Sequence, residues 1–249
     1  MNRLPGAWLS AALVTSAVVL SSAPAVAETH YNIAYDFTHL SNPNGAWSYG
    51  YYAVAGDASS FTQINISSVS YGGNIGVNGW DAGDYVYLLS YGSGEDWELA
   101  TAYVWNGTIL VHPGAEGRET VVRWTAPESG IYSTWATFYG AENGAPLGQT
   151  GPQTTSGGTL LVNGVSAFHG YVNGFNHRAE VSDEFALRQG DTVDWAVDWG
   201  ENGNRDWDST MVEGGLYRRG DFPSVPLPAA APMLLAGLGG LALLRRRKA

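Results

Sequence analysis

The chain has 249 residues, no cysteine, 33 glycines and only 14% charged residues, where about 7% glycine and about 25% charge are usual. With 45% hydrophobic residues, among them 10 tryptophans and 14 tyrosines, that composition excludes a helical bundle or a disordered chain and leaves apolar surface for one sizeable core. Between Glu28 and Ser224 seven basic residues face all 23 acidic ones; such a body repels phosphate backbones, which excludes nucleic acid as a partner, and the missing cysteine excludes disulfides, thiol catalysis and thiolate metal sites.

Residues 1–27 carry one positive charge, Arg3, an apolar run from Ala11 to Leu20, and the small residues Ala25 and Ala27 around Val26. This is the n-region, h-region and A-x-A order of a secretory signal peptide, with a core too short to stay in a membrane as a span. Export is expected, with Glu28 as the first mature residue.

Residues 28–217 show no sustained helical periodicity. Period-two alternation recurs between turn signals, which predicts an all-β ectodomain folded as an antiparallel β-sandwich. Tyr31, Ile33, Tyr35 and Phe37 alternate with smaller or polar residues, and Val193, Trp195, Val197 and Trp199 do so with Asp194 and Asp198 on the opposite face. The second row predicts large side chains turned inward and carboxylates turned outward. Further strands are expected over 46–54, 61–71, 84–90, 98–105, 108–112, 119–125, 130–140, 159–162, 165–171, 179–188 and 209–213. Asn163-Gly164 marks a two-residue hairpin, because both central positions of a type I′ turn need positive φ. Residues 28–110 are richer in Ser, Asn and Gly and less cleanly periodic than 111–217, so two small β domains stand beside one as the alternative.

Aromatic rings near loops are the first candidates for a binding surface. A sugar presents an apolar C–H face that stacks on Trp or Tyr, and such rings suit contacts that are dry on one side and wet on the other. Trp47, Tyr49, Trp80, Trp97 and Trp207 are placed there, with Trp207, inside the polar run NGNRDWDS, the best exposed; the competing role for each ring is core filling. In GENGNRDWDST, Asn202, Asn204, Asp206 and Asp208 recur at spacing two, an arrangement of oxygens that suits a structural Ca²⁺ or a solvated acidic turn. Trp207 stands where an EF-hand needs glycine, so that motif is excluded. His30, His39, His112, His169 and His177 have no zinc-ligand spacing, and no nucleophile-elbow, phosphate-loop or dinucleotide motif occurs. Glu95, Asp96 and Glu98 cluster beside Trp97, but closeness along the chain does not place two carboxylates across a scissile bond. No catalytic residue is assigned.

Residues 218–228 read as a linker whose prolines resist regular structure. It carries the start of a VPLPA motif (Val225, Pro226, Leu227, Pro228, Ala229), and residues 229–249 add an apolar segment ending in Arg245, Arg246, Arg247 and Lys248. The uncharged stretch from Ala229 to Leu244 is about 24 Å long as a helix at about 1.5 Å per residue, marginal for a hydrocarbon core of about 30 Å. The basic cluster stays cytoplasmic and holds the ectodomain on the far side of the membrane.

This tail, with motif, glycine-containing apolar segment and terminal arginines in that order, resembles the VPLPA-CTERM variant of the PEP-CTERM sorting signals of bacterial surface proteins. The resemblance implies a transient inner-membrane anchor, cut by an exosortase-type membrane protease that passes the protein to the cell envelope or extracellular matrix, where such proteins accompany exopolysaccharide. The segments WTAPESGIYSTWATFYG, LLVNGVSAFHGYVNGF and LRQGDTVDWAVDWGENGN resemble galactose-binding-like and carbohydrate-binding-module jelly rolls, a resemblance that implies a jelly-roll-like β-sandwich, and NPNGAWSYGY resembles the start of extracellular β domains attached to PEP-CTERM tails. The expectation is an exported, non-catalytic protein that binds extracellular polysaccharide and needs no cofactor beyond a structural Ca²⁺. The alternatives are a secreted glycan-active enzyme and a purely structural or adhesive surface protein.

Overall fold

The structure is a computed structural model that describes residues 29–68, 76–92, 94–143 and 153–222. The predicted signal peptide and the VPLPA motif with its apolar segment and basic tail lie outside the described residues. Among the described residues no helix is long and apolar enough to cross a membrane.

The strands are β1 (His30–Asn32), β2 (Trp47–Tyr52), β3 (Phe61–Gln63), β4 (Ser67–Ser68), β5 (Val77–Gly83), β6 (Val86–Tyr91), β7 (Trp97–Leu99), β8 (Ala102–Val104), β9 (Ile109–His112), β10 (Glu119–Thr125), β11 (Gly130–Gly140), β12 (Thr155–Val162), β13 (Val165–Asn173), β14 (Arg178–Leu187), β15 (Thr192–Asp198) and β16 (Thr210–Gly220). One sheet runs β14-β11-β16-β9-β6-β5-β4, with β1 also on β16, and the second runs β13-β12-β15-β10-β2-β3. Strands from either side of residue 110 therefore share both sheets. The long strand β16 takes β9 at residues 210–212 and β1 at 215–217. Asn163 and Gly164 both adopt positive φ, and Val162 pairs with Val165 across them, the geometry expected of a type I′ hairpin.

The two sheets meet face to face over a core that includes Trp47, Trp124, Phe138, Leu160, Trp195 and Leu216. Val193, Trp195 and Val197 point into it, as their alternation predicts. Gly158 is fixed by this contact: a Cβ there would lie 2.2 Å from the Phe138 ring.

The outward row of β15 differs from the expectation. Asp194 is 0% exposed, because residues 53–63 fold back over the outer face, where Ala58 and Phe61 meet Tyr52, Val121, Leu161 and Ala196. An isolated buried carboxylate is strongly unfavourable. Here Arg123 reaches it with two hydrogen bonds of 2.8 Å, and the Tyr52 hydroxyl donates a third at 2.6 Å. The guanidinium lies 4.0 Å over the Phe61 ring, and burial with the adjacent Asp194 carboxylate pushes the Tyr52 hydroxyl well above the usual range.

The other sheet is covered in the same way. The β7-β8 hairpin lies on its outer face, where Trp97, Ala102 and Val104 pack against Tyr87, Leu89, Leu110 and Met211. Removing Asp194 would strand a guanidinium and a hydroxyl in a largely dry site. Asp194→Ala should cost about 3 kcal/mol, the low end for breaking a buried pair because Arg123 keeps some contact with water. Urea denaturation measures it, and a loss below about 1 kcal/mol would show that the pair does not hold the 53–63 cover in place.

Candidate functional site

The β7-β8 cover leaves one end of the sheet open. Beside it is a cavity of about 490 Å³, walled by the β5-β6 turn (Tyr85), the β7-β8 turn (Leu99–Thr101), the end of β9 (His112), Glu142, and the loop before β16 (Arg205, Asp206, Trp207, Ser209). Two exposed rings stand at its rim, Tyr85 at 55% and Trp207 at 41%; one face of Tyr85 carries the Arg205 guanidinium. Three of its wall residues, Tyr85, Ala100 and Trp207, have φ of +71°, +53° and +72°. Left-handed backbone costs a non-glycine residue about 1–2 kcal/mol, and such strain persists only where surrounding structure enforces it, commonly at ligand sites.

The loop from 199 to 209 is enforced from within and from below. Trp199 Nε1 donates to Gly114 O at 2.7 Å, and Gly200 N donates to Asp198 Oδ1 at 2.6 Å. Gly200 (φ +64°) lies so close to β12 that a Cβ would fall 1.9 Å from Thr155 O. Asn202 Oδ1 accepts from Asn204 N, and Asn204 Oδ1 from Asp206 N, each at 2.9 Å. Asn202 Nδ2 donates to Thr155 Oγ1, which in turn donates to Asp208 Oδ1 at 2.9 Å. Of the oxygens whose spacing suggested calcium, Asn202 Oδ1, Asn204 Oδ1 and Asp208 Oδ1 are used inside the loop as turn caps and an anchor, and among the described residues no three His, Asp or Glu side chains form a metal-holding group.

The polar wall is chemically mixed. Glu142 is buried and accepts from Thr101 Oγ1 at 2.5 Å. Arg205 lies 4.4 Å over the Tyr85 ring, and its buried Nε has no hydrogen-bond partner. His112 donates from Nδ1 to Pro113 O at 2.7 Å. Burial pushes its pKa down to about 4, so it is neutral at physiological pH. Asp208, buried under the loop, has one oxygen without a partner, and burial pushes its pKa up to about 7.

Of the five aromatic candidates, only Trp207 reaches the cleft. Trp47, Tyr49, Trp80 and Trp97 are buried, which corrects their placement as stacking surfaces. The indole N–H groups of Trp47 and Trp80 are satisfied by Asp36 Oδ2 and Thr38 O, at 3.1 and 2.7 Å, so acceptors in the 33–44 segment let these rings sit inside. Trp97 belongs to the hairpin layer. Asp96 accepts from Asn106 N and the Tyr103 hydroxyl at 2.8 and 3.0 Å and braces that hairpin. Tyr85, Arg205 and Glu142 were missed by sequence reasoning. The turn signal Gly83-Asp84 before Tyr85, and Arg205 beside Trp207 in the same polar run, were the available cues.

No family model matches the chain, and no curated protein matches it. Solved structures similar to it include a family 35 carbohydrate binding module from an environmental isolate, 12% identical over 72% of this chain and 98% of that one, with a TM-score of 0.29. TmCBM61 in complex with beta-1,4-galactotriose is 12% identical over 57% of this chain and 87% of that one, at 0.32. A family 35 module from Clostridium thermocellum is 15% identical over 49% and 85%, at 0.28. Overlaps of this size assign neither family nor ligand.

Asp208 and His112 give the site opposing pH dependences. Unfolded, they titrate near about 3.9 and about 6.5. Between about 4 and 7 the folded state holds a proton on Asp208 that the unfolded chain releases, so this group's contribution to stability falls as pH rises. Between about 4 and 6.5 the unfolded chain protonates His112 and the folded state does not, so that contribution rises with pH. Relative to the parent, Asp208→Asn should gain stability with increasing pH across its window and His112→Gln should lose it. Urea titrations at pH 5, 6, 7 and 8 read both slopes, and parallel curves for parent and variants would refute the assignment.

Proposed function

We propose that this protein is a non-catalytic carbohydrate-binding protein of the bacterial cell surface, and that the cleft between Tyr85 and Trp207 takes the sugar. The observation that carries this reading is the pair of exposed rings, Tyr85 and Trp207, held in left-handed backbone at the rim of a cavity that Arg205, His112 and Glu142 help to line. A pyranose offers C–H faces to such rings and hydroxyls to such polar groups, and the cavity falls in the size range of small-ligand sites. Extracellular polysaccharide is the partner in this proposal. Trp207→Ala and Tyr85→Ala should each weaken binding about 10-fold or more, the effect of losing one stacking contact worth about 1.5 kcal/mol, while the melting temperature changes little because neither ring belongs to the packed core clusters. Affinity electrophoresis and isothermal titration against the producer's exopolysaccharide and a panel of neutral and acidic glycans test it; no retardation by any of them would overturn the reading.

Glu142 and Asp206 supply two carboxylates to the same cleft, so glycoside cleavage is the second reading. New reducing ends released from a polysaccharide that binds would favour it.

The sequence signals at the two ends support export and attachment: residues 1–27 direct secretion, and the VPLPA tail with Arg245–Lys248 is removed by an exosortase-type protease after transient anchoring in the inner membrane. Mass spectrometry of the protein from envelope and culture fractions should find a chain starting at Glu28 and ending near the motif. An intact 249-residue chain in the cytosol would overturn this part.

A further inference from the structure

A second depression of about 490 Å³ lies against the first, lined by Gln153, Thr155, Asn202 and Asn204. Its remaining two wall residues, Asp206 and Trp207, are also walls of the first cavity. Asp206 and Trp207 therefore border both hollows, and the strained backbone of Trp207 is held in place by the anchored loop. The chemistry of the two hollows differs. The first is walled by aromatic rings, a guanidinium and a buried carboxylate. The second presents amides and a hydroxyl, with Asp206 as its one charged side chain.

Within the second hollow the groups divide by occupation. Thr155 and Asn202 are engaged in the hydrogen bonds that fix the loop. Asn204 uses its oxygen on Asp206 N, which leaves its Nδ2 free to donate, and the Gln153 side-chain amide makes no hydrogen bond among the described residues. An amide offers both donor and acceptor to a hydroxyl, and a carboxylate that is the hollow's one charged wall group disfavours an anionic unit there.

Building on the carbohydrate reading, we propose that the ligand is an oligosaccharide of at least two units lying across Trp207, one unit in each hollow, and that the unit beside Gln153 and Asn204 is uncharged. Binding then depends on chain length. Isothermal titration with galactose, glucose and mannose, and with the di- and trisaccharide of each, is the test; digalacturonate is the charged control. For at least one series the disaccharide should bind 10-fold or more tighter than its monosaccharide. Gln153→Ala should remove about 3- to 10-fold of that gain, the range of one neutral hydrogen bond, while leaving monosaccharide affinity and the melting temperature unchanged. Monosaccharide and trisaccharide binding with equal affinity would overturn the two-unit ligand and leave the cleft reading standing. Digalacturonate binding as tightly as the neutral disaccharides would overturn the uncharged second unit. Binding by none of these sugars, together with no retardation by any polysaccharide, would overturn the carbohydrate reading itself.

Discussion

The contact between Asp208 and Thr155 is the constraint on which the cleft depends. It ties the loop before β16 to the start of β12, and thereby one sheet to the other, at a place where Gly200 brings the two backbones together without room for a Cβ. Arg205, Asp206 and Trp207 precede the anchor directly. A large aromatic at φ +72° would relax if its flanks were free. Asp208 on one side and the paired asparagine turns on the other leave it no alternative path. The carboxyl that does this work has one oxygen without a partner, so it is better suited to the neutral form than to the charged one.

Cover on the outer faces is the second organising feature, and it explains where the sequence was legible. Strands over 119–125 and 130–140 were read with the boundaries found in the structure, because each alternates in one face of a two-sided sheet and ends at a turn signal. The Val193, Trp195, Val197 row was legible for the same reason. Asp194 was not, because nothing local to β15 reveals that a segment 130 or more residues earlier folds across it; the partner, Arg123, lies on a strand whose own pattern reads as ordinary alternation. Periodicity reports which face a side chain takes, and it is silent about what lies over that face.

The same limit governed the aromatic rings. In residues 28–110 the turns are dense in Ser, Asn and Gly, strands are short, and β5 (VNGWDAG) has no clean alternation, so Trp80 read as a loop residue. Its burial depends on Thr38 O accepting its N–H from a distant turn. Trp207 was legible because the seven residues before it and the three after it are all polar or small, which leaves a tryptophan little apolar company. Tyr85, Glu142 and Arg205 belong to three separate connections that only the sheet topology brings together.

Charge gives the cleft its last distinguishing property. In this strongly acidic body Arg118, Arg123, Arg178, Arg218 and Arg219 are all ion-paired. Arg205 forms no ion pair among the described residues and rests instead on the Tyr85 ring. A guanidinium stacked on an aromatic face keeps its in-plane donors unoccupied. Those donors share the cleft with Glu142 and Asp206, so the wall presents both donors and strong acceptors with little net charge. Such a wall complements vicinal hydroxyls, which donate and accept at once, better than it complements an ion of either sign.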